Sequence, residues 1–309
     1  MSRREVKEIE PRNLDELRPL WKKLEKFAHI LEPGEAEEPI LAATVRAAIY
    51  EWLSEINSAD LLKSVGVMPR RSALLFGPPG TGKTTLAHHL AARLGVPLVA
   101  VQSEQLIESS LGGSGRNVAE LFTAVQALDG KCVILLDEID SIGSRRSNDD
   151  QACAREMNAV LTTLLRYVES FAGICIAATN REDSLDPALW RRFGMQIPVL
   201  LPAQDERYAI LQRYAFPFML DDDDAELLTD LTYGASPALL RGLMEGMKRA
   251  IVLAPKLRRD ISDPVAVIAA VLASVQPPPE FEMPPLWKPG ADLKRLSSIS
   301  WPPALHEAA

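Results

Sequence analysis

A chain of 309 residues is long enough for one large domain plus a smaller one, with interior enough for a real core. Its formal net charge of -8 argues against a general nucleic-acid binder, which would carry a basic face. No apolar run approaches the length of a membrane span, and the N-terminus MSRREVKEIEPRN has no apolar signal core, so the expected location is the cytoplasm with no membrane partner. Cys132, Cys153 and Cys175 show no C-x-x-C spacing, which suggests neither a disulfide framework nor a zinc site. The adjacent His88 and His89 would point about 100° apart on a helix, and only His29 and His306 remain to complete a metal site.

In chain order, residues 11–31 place Leu17, Leu20, Trp21, Leu24, Phe27, Ala28 and Leu31 at helical spacing, which predicts one amphipathic helix packed on its own domain. A loop rich in Glu and Pro then leads to a second predicted helix over residues 40–56. Residues 1–64 are thus expected to form an N-terminal helical extension. Residues 72–76, SALLF, read as a buried strand, and residues 85–94 as a helix.

Between them lies GPPGTGKT, which fills the pattern G-x-x-x-x-G-K-[ST] with Gly77, Gly82, Lys83 and Thr84. Gly77, Gly80 and Gly82 allow turns that a Cβ would block, so that successive N–H groups face phosphate oxygens. The helix that follows adds the potential of its N-terminus to the same anion. Lys83 is expected on the β- and γ-phosphates, and the Thr84 hydroxyl on Mg2+. Gly77, Pro78, Pro79, Gly80, Thr81, Gly82, Lys83, Thr84 and Thr85 are the candidate nucleotide-binding segment, with ATP as the ligand.

Further strands are predicted at residues 98–101, 132–136, 174–178 and 197–200, with helices between them. That alternation predicts an α/β fold, a parallel sheet sandwiched by helices, over residues 65–202. The strand VILLDEID ends in two carboxylates, placed 54 residues after Lys83. Asp137 is the candidate for holding Mg2+ through water, and Glu138 for polarising the attacking water. The strand ICIAATN delivers Asn180 to the same C-terminal edge, where an amide can orient that water. In LDPALWRRF, Arg191 and Arg192 are suited to bridging charge on phosphoryl oxygens.

After Pro202 the strand pattern stops, and helices are predicted at about 204–215, 224–232, 236–252 and 264–275. These form an expected all-helical lid domain over residues 203–276. The acidic run at residues 221–224 is expected to cap a helix rather than to bind metal. Residues 277–309 form a proline-rich tail, of which Phe281, Leu286, Trp287 and Trp301 are costly to leave in water, so part of it is expected to pack.

GPPGTGKT, LLDEID, AATN and LDPALWRRF, in this order and spacing, resemble the ATPase module of the AAA+ superfamily, within its AAA clade, as a single-module member. The resemblance covers about residues 65–252. It implies that Lys83 and Thr84 belong to Walker A, Asp137 and Glu138 to Walker B, and Asn180 to sensor 1. It also implies that Arg191 and Arg192 are fingers reaching a neighbour's nucleotide, and hence a homo-oligomeric ring, usually a hexamer. YGASPALLR resembles the sensor 2 region, but the Asp of the clade's Gly-Ala-Asp is missing, which leaves the role of Arg241 open.

Rings of this clade commonly thread a protein past an aromatic-aliphatic loop. The corresponding positions here hold Ser110 and Leu111, so one wedge of the grip is missing. The leading expectation is an ATP-driven remodeller or unfoldase of a protein partner. The alternatives are a nucleic-acid-associated loader, which the acidic balance disfavours, and a regulatory switch that does not thread, which Ser110 favours.

Overall fold

A computed structural model describes residues 14–107, 113–143, 151–279 and 281–306. In chain order the elements are α1 (Leu14–Leu24), β1 (Ala28–Leu31), α2 (Ala43–Asn57), α3 (Ala59–Ser64), β2 (Ser72–Phe76), α4 (Lys83–Arg93), β3 (Leu98–Gln102), α5 (Ser103–Leu106), α6 (Gly113–Gln126) and β4 (Val133–Asp137). They continue with α7 (Asp140–Gly143), α8 (Gln151–Ser170), β5 (Ile174–Thr179), α9 (Pro187–Trp190), β6 (Met195–Pro198), α10 (Gln204–Ala215), α11 (Asp222–Leu231), α12 (Pro237–Leu257) and α13 (Pro264–Ser274).

Six strands make one sheet in the order β1-β3-β4-β5-β2-β6. All neighbours are parallel except β1 with β3. The alternation along β4 shows why the sheet needs cover on both sides. Ile134 and Leu136 enter a core with Phe122, Leu121 and Leu164, from α6 and α8. Val133 and Leu135 enter the opposite core with Leu86 and Leu90 of α4 and Trp52 of α2. Each strand face is therefore paid in apolar contact by a different helix layer.

The helix predicted over residues 11–31 is corrected. It stops at Leu24, where Lys22 and Lys23 lie in the last turn and favour the dipole's negative end. The chain then turns, Phe27 N–H bonding Leu24 O at 2.8 Å, and residues Ala28–Leu31 pair antiparallel with β3. The N-terminal segment is therefore not wholly helical, and one strand of it belongs to the sheet.

The last four helices pack around a separate core of Leu211, Leu228, Leu240, Leu243 and Ile268. Asp221 caps α11 by accepting from Asp224 N–H at 2.8 Å, as expected of the acidic run. Much of the proline-rich tail joins this core through Leu286, Trp287, Leu296 and Ile299. Its polar anchors are Trp287 Nε1 on Val275 O and Trp301 Nε1 on Ile261 O, each at 2.6 Å. Phe281 stays 38% exposed.

Candidate functional site

The C-terminal ends of β2, β4 and β5 lie side by side in the sheet, so the segments that follow them converge. Gly80, Gly82, Lys83, Thr84, Thr85, Asp137, Glu138 and Asn180 line one cleft of about 320 Å³. The loop after β2 reaches it through residues with positive φ, of which Gly77 is the most demanding. Gly77 has φ 141°, and a Cβ there would sit 2.3 Å from Val199 O.

Lys83 is buried, 6% exposed, and its Nζ donates to Gly77 O and Pro78 O at 2.8 Å each. Burial pushes its ammonium down to about 8, against the opposing pull of Asp137, Asp140 and Glu182. A buried cation held by neutral carbonyls gains from an arriving anion. Thr84 Oγ1 donates to Asp137 Oδ2 at 2.7 Å, which joins the first turn of α4 to the end of β4. These hydroxyl and carboxylate oxygens are hard donors of the kind that suits Mg2+.

Asp137 is fixed from its other side as well. Its Oδ1 accepts Glu138 N–H at 3.0 Å, and its carbonyl accepts Ser103 Oγ at 2.6 Å. Glu138 has φ 50°, a left-handed conformation that costs a non-glycine residue roughly 1–2 kcal/mol. Next to it, Thr179 Oγ1 donates to Asp140 Oδ1 at 2.8 Å and accepts Arg181 N–H at 3.0 Å, which ties down the chain on either side of Asn180.

The other expected residues are placed elsewhere. Pro78 and Pro79 line a second cavity, of about 690 Å³. Thr81 Oγ1 donates back to Pro78 O at 2.9 Å. Arg191 and Arg192, at the end of α9, are exposed and line no part of their own chain's cleft. Arg192 pairs with Glu169. Ser110 and Leu111 lie outside the described residues.

The mouth of the cleft is made by Pro237, Ala238 and Arg241 of the YGASPALLR segment, whose role the sequence left open, together with Glu37 and Tyr214, which sequence reasoning missed. Ala238 N–H donates to Gly80 O at 3.1 Å, so α12 touches the loop directly. Tyr214 Oη donates to Glu37, and Arg241 Nη1 reaches Glu37 Oε2 at 3.4 Å. No local pattern marks Glu37, whose partners lie 177 and 204 residues away.

Comparison with known proteins gives a consistent picture. Residues 73–201 match the family described as "ATPase family associated with various cellular activities (AAA)". The chain is 34% identical over 234 residues to a proteasome-activating nucleotidase of Methanopyrus kandleri, covering 71% of this chain and 53% of that protein. It is 37% identical over 192 residues to the probable 26S proteasome regulatory subunit 10B of Caenorhabditis elegans, covering 60% of this chain and 47% of the relative. It is also 37% identical over 201 residues to the ATP-dependent zinc metalloprotease FtsH 3 of Sphaerobacter thermophilus, covering 63% and 41%. The chain thus spans about half the length of these relatives or less. Through residues 73–201 the chain belongs to the AAA family of ATPases, and every wall of its cleft except the mouth falls within that span.

Proposed function

We propose that this chain is a Mg2+-dependent ATPase that assembles as a homo-oligomeric ring, a hexamer, and uses hydrolysis to remodel or unfold a protein partner. The observation that carries this reading is the convergence of Lys83, Thr84, Asp137, Glu138 and Asn180 on one cleft while Arg191 and Arg192 stay exposed outside it.

Each residue has one task in that reading. Lys83 neutralises charge on the β- and γ-phosphates, and the loop N–H groups hold the same oxygens. Thr84 and Asp137 would hold Mg2+, which supplies charge neutralisation between the phosphates when bound. Glu138 accepts a hydrogen bond from the attacking water and draws its proton as the new oxygen–phosphorus bond forms and the bond from the γ-phosphorus to the β-phosphate oxygen breaks, releasing ADP. Asn180 orients that water, and Arg191 and Arg192 serve a neighbour's cleft, which is why an isolated chain would be an incomplete catalyst.

The names of the relatives support a protein partner, since one is a proteasome activator, another a proteasome subunit and the third a protease. Among the described residues no helix is long and apolar enough to cross a membrane. The test is capture with Glu138→Gln in ATP, which should hold the assembly in its bound state. Protein recovered without nucleic acid supports the reading. Nucleic acid recovered in its place would move the function to a loader. The switch reading rests on Ser110, and it predicts a captured effector that is bound but not threaded.

A further inference from the structure

We propose that Glu37 is a positioning residue for the nucleotide site: its carboxylate holds Arg241 at the cleft mouth and competes with the incoming polyphosphate for that guanidinium. The proposal rests on the ATP reading of the cleft and adds to it a residue from outside the matched family span.

Three elements meet at this point. The segment between β1 and α2 brings Glu37, α10 brings Tyr214, and α12 brings Arg241. All three residues line the same cleft as Lys83, Thr84, Asp137 and Glu138. The Arg241 guanidinium lies 5.2 Å from the centre of the Tyr214 ring, and its Nε donates to Glu245 Oε1 at 2.7 Å. Glu245 therefore fixes the root of the fork along α12, and Nη1 is the part that Glu37 occupies at 3.4 Å. Tyr214 Oη, donating to Glu37, keeps the carboxylate facing Arg241. Glu38 O accepts Arg213 Nη1 at 2.5 Å, so α10 holds this segment at two successive residues.

The charges explain the competition. The cleft is lined by three carboxylates, Glu37, Asp137 and Glu138, and two cations, Lys83 and Arg241. A polyphosphate entering there is repelled by Glu37 and attracted to Arg241, and phosphate accepts from a guanidinium in strong charge-assisted pairs. Binding must then break the Glu37–Arg241 contact, whose strength subtracts from affinity. Glu37 acts through Arg241 and needs no contact with the nucleotide. Were the pair only a half-exposed surface bridge, it would have no coupling to the ligand.

The experiment is a double-mutant cycle on the affinity of the whole protein for a non-hydrolysable ATP analogue with Mg2+, read by calorimetry. Gln at position 37 keeps an acceptor for Tyr214 and removes the charge. Glu37→Gln should bind the analogue about two- to fivefold tighter, and Arg241→Gln about three- to tenfold more weakly. In the Arg241→Gln background, Glu37→Gln should gain less than about 1.5-fold, because the contested cation is gone. The KM for ATP should move in the same directions. Equal gains in both backgrounds would reduce Glu37 to general charge repulsion and overturn the proposal, as would unchanged or weaker binding by Glu37→Gln. Failure of the wild-type protein to bind the analogue would remove the ATP reading itself.

Discussion

The loop at residues 77–82 contributes to two cavities, and the contrast between them shows what identifies a site. In one, prolines dominate: Pro78 and Pro79 join Pro202, Pro277, Pro284, Met283 and Tyr233 around about 690 Å³. The other has less than half that volume, about 320 Å³, and is lined by Lys83, Thr84, Asp137, Glu138 and Asn180. The larger cavity offers apolar surface but brings no pair of carboxylates to a buried cation. The smaller one has both, because it lies where three parallel strands end. Convergence of chemistry, not size, marks the place where a phosphate can be bound and cleaved.

Substitutions at the two cavities should therefore differ widely in effect. Lys83→Ala should weaken ATP-analogue binding by about a hundredfold or more, since it removes the buried cation that the anion meets. Calorimetry checks this, and near-normal affinity would break the contrast at its strongest point. The ring is tested by mixing Arg191→Ala/Arg192→Ala chains with Lys83→Ala chains. Neither should be active alone, and the mixture should recover a measurable part of wild-type turnover, since intact fingers then face intact clefts. No recovery in mixtures shown to co-assemble would argue against fingers acting across subunits.

Gly77 lines neither cavity but opens the loop that contributes residues to both. Gly77→Ala places a Cβ against Val199 O in a conformation suited to glycine, and should cost about 2 kcal/mol or more of folding stability. Denaturant unfolding measures it, and a wild-type midpoint would show that the loop relaxes freely. The smallest effect is expected in the large cavity. Tyr233 is 68% exposed there, with the Arg207 guanidinium 5.4 Å from its ring centre. Tyr233→Ala should change ATP turnover less than about twofold, for a stability cost of about 0.5–1 kcal/mol. A tenfold loss of ATP affinity would join the large cavity to the nucleotide site.

What could be read from the sequence was local. The glycines, Lys83 and Thr84 specify their loop within eight residues, and the apolar run before Asp137 announces a buried strand whose end must carry polar groups. The strand at Ala28–Leu31 was hidden because its apolar residues continue the helical spacing of α1. Only pairing with β3, some seventy positions away, decides between the two. For β6 the expected strand at residues 197–200 lies two residues too late, since Leu200 is 63% exposed beyond the pairing with β2. The helix predicted to end at residue 252 runs on to Leu257 with Pro255 inside its last turn, a residue that usually argues for an earlier stop. Glu37 sits in a loop with no periodicity at all, and its meaning comes from α10 and α12. Proline in the tail suggested irregularity, but not that Leu296 would be fully buried in the core of the last four helices.

The central claim is that the small cleft binds ATP and that Glu138 drives its hydrolysis. The most direct measurement is the turnover of Glu138→Gln at saturating ATP and Mg2+, beside the amount of nucleotide bound per chain. The account predicts nucleotide bound at wild-type stoichiometry and turnover lower by about a hundredfold or more. Turnover near the wild-type rate would contradict it.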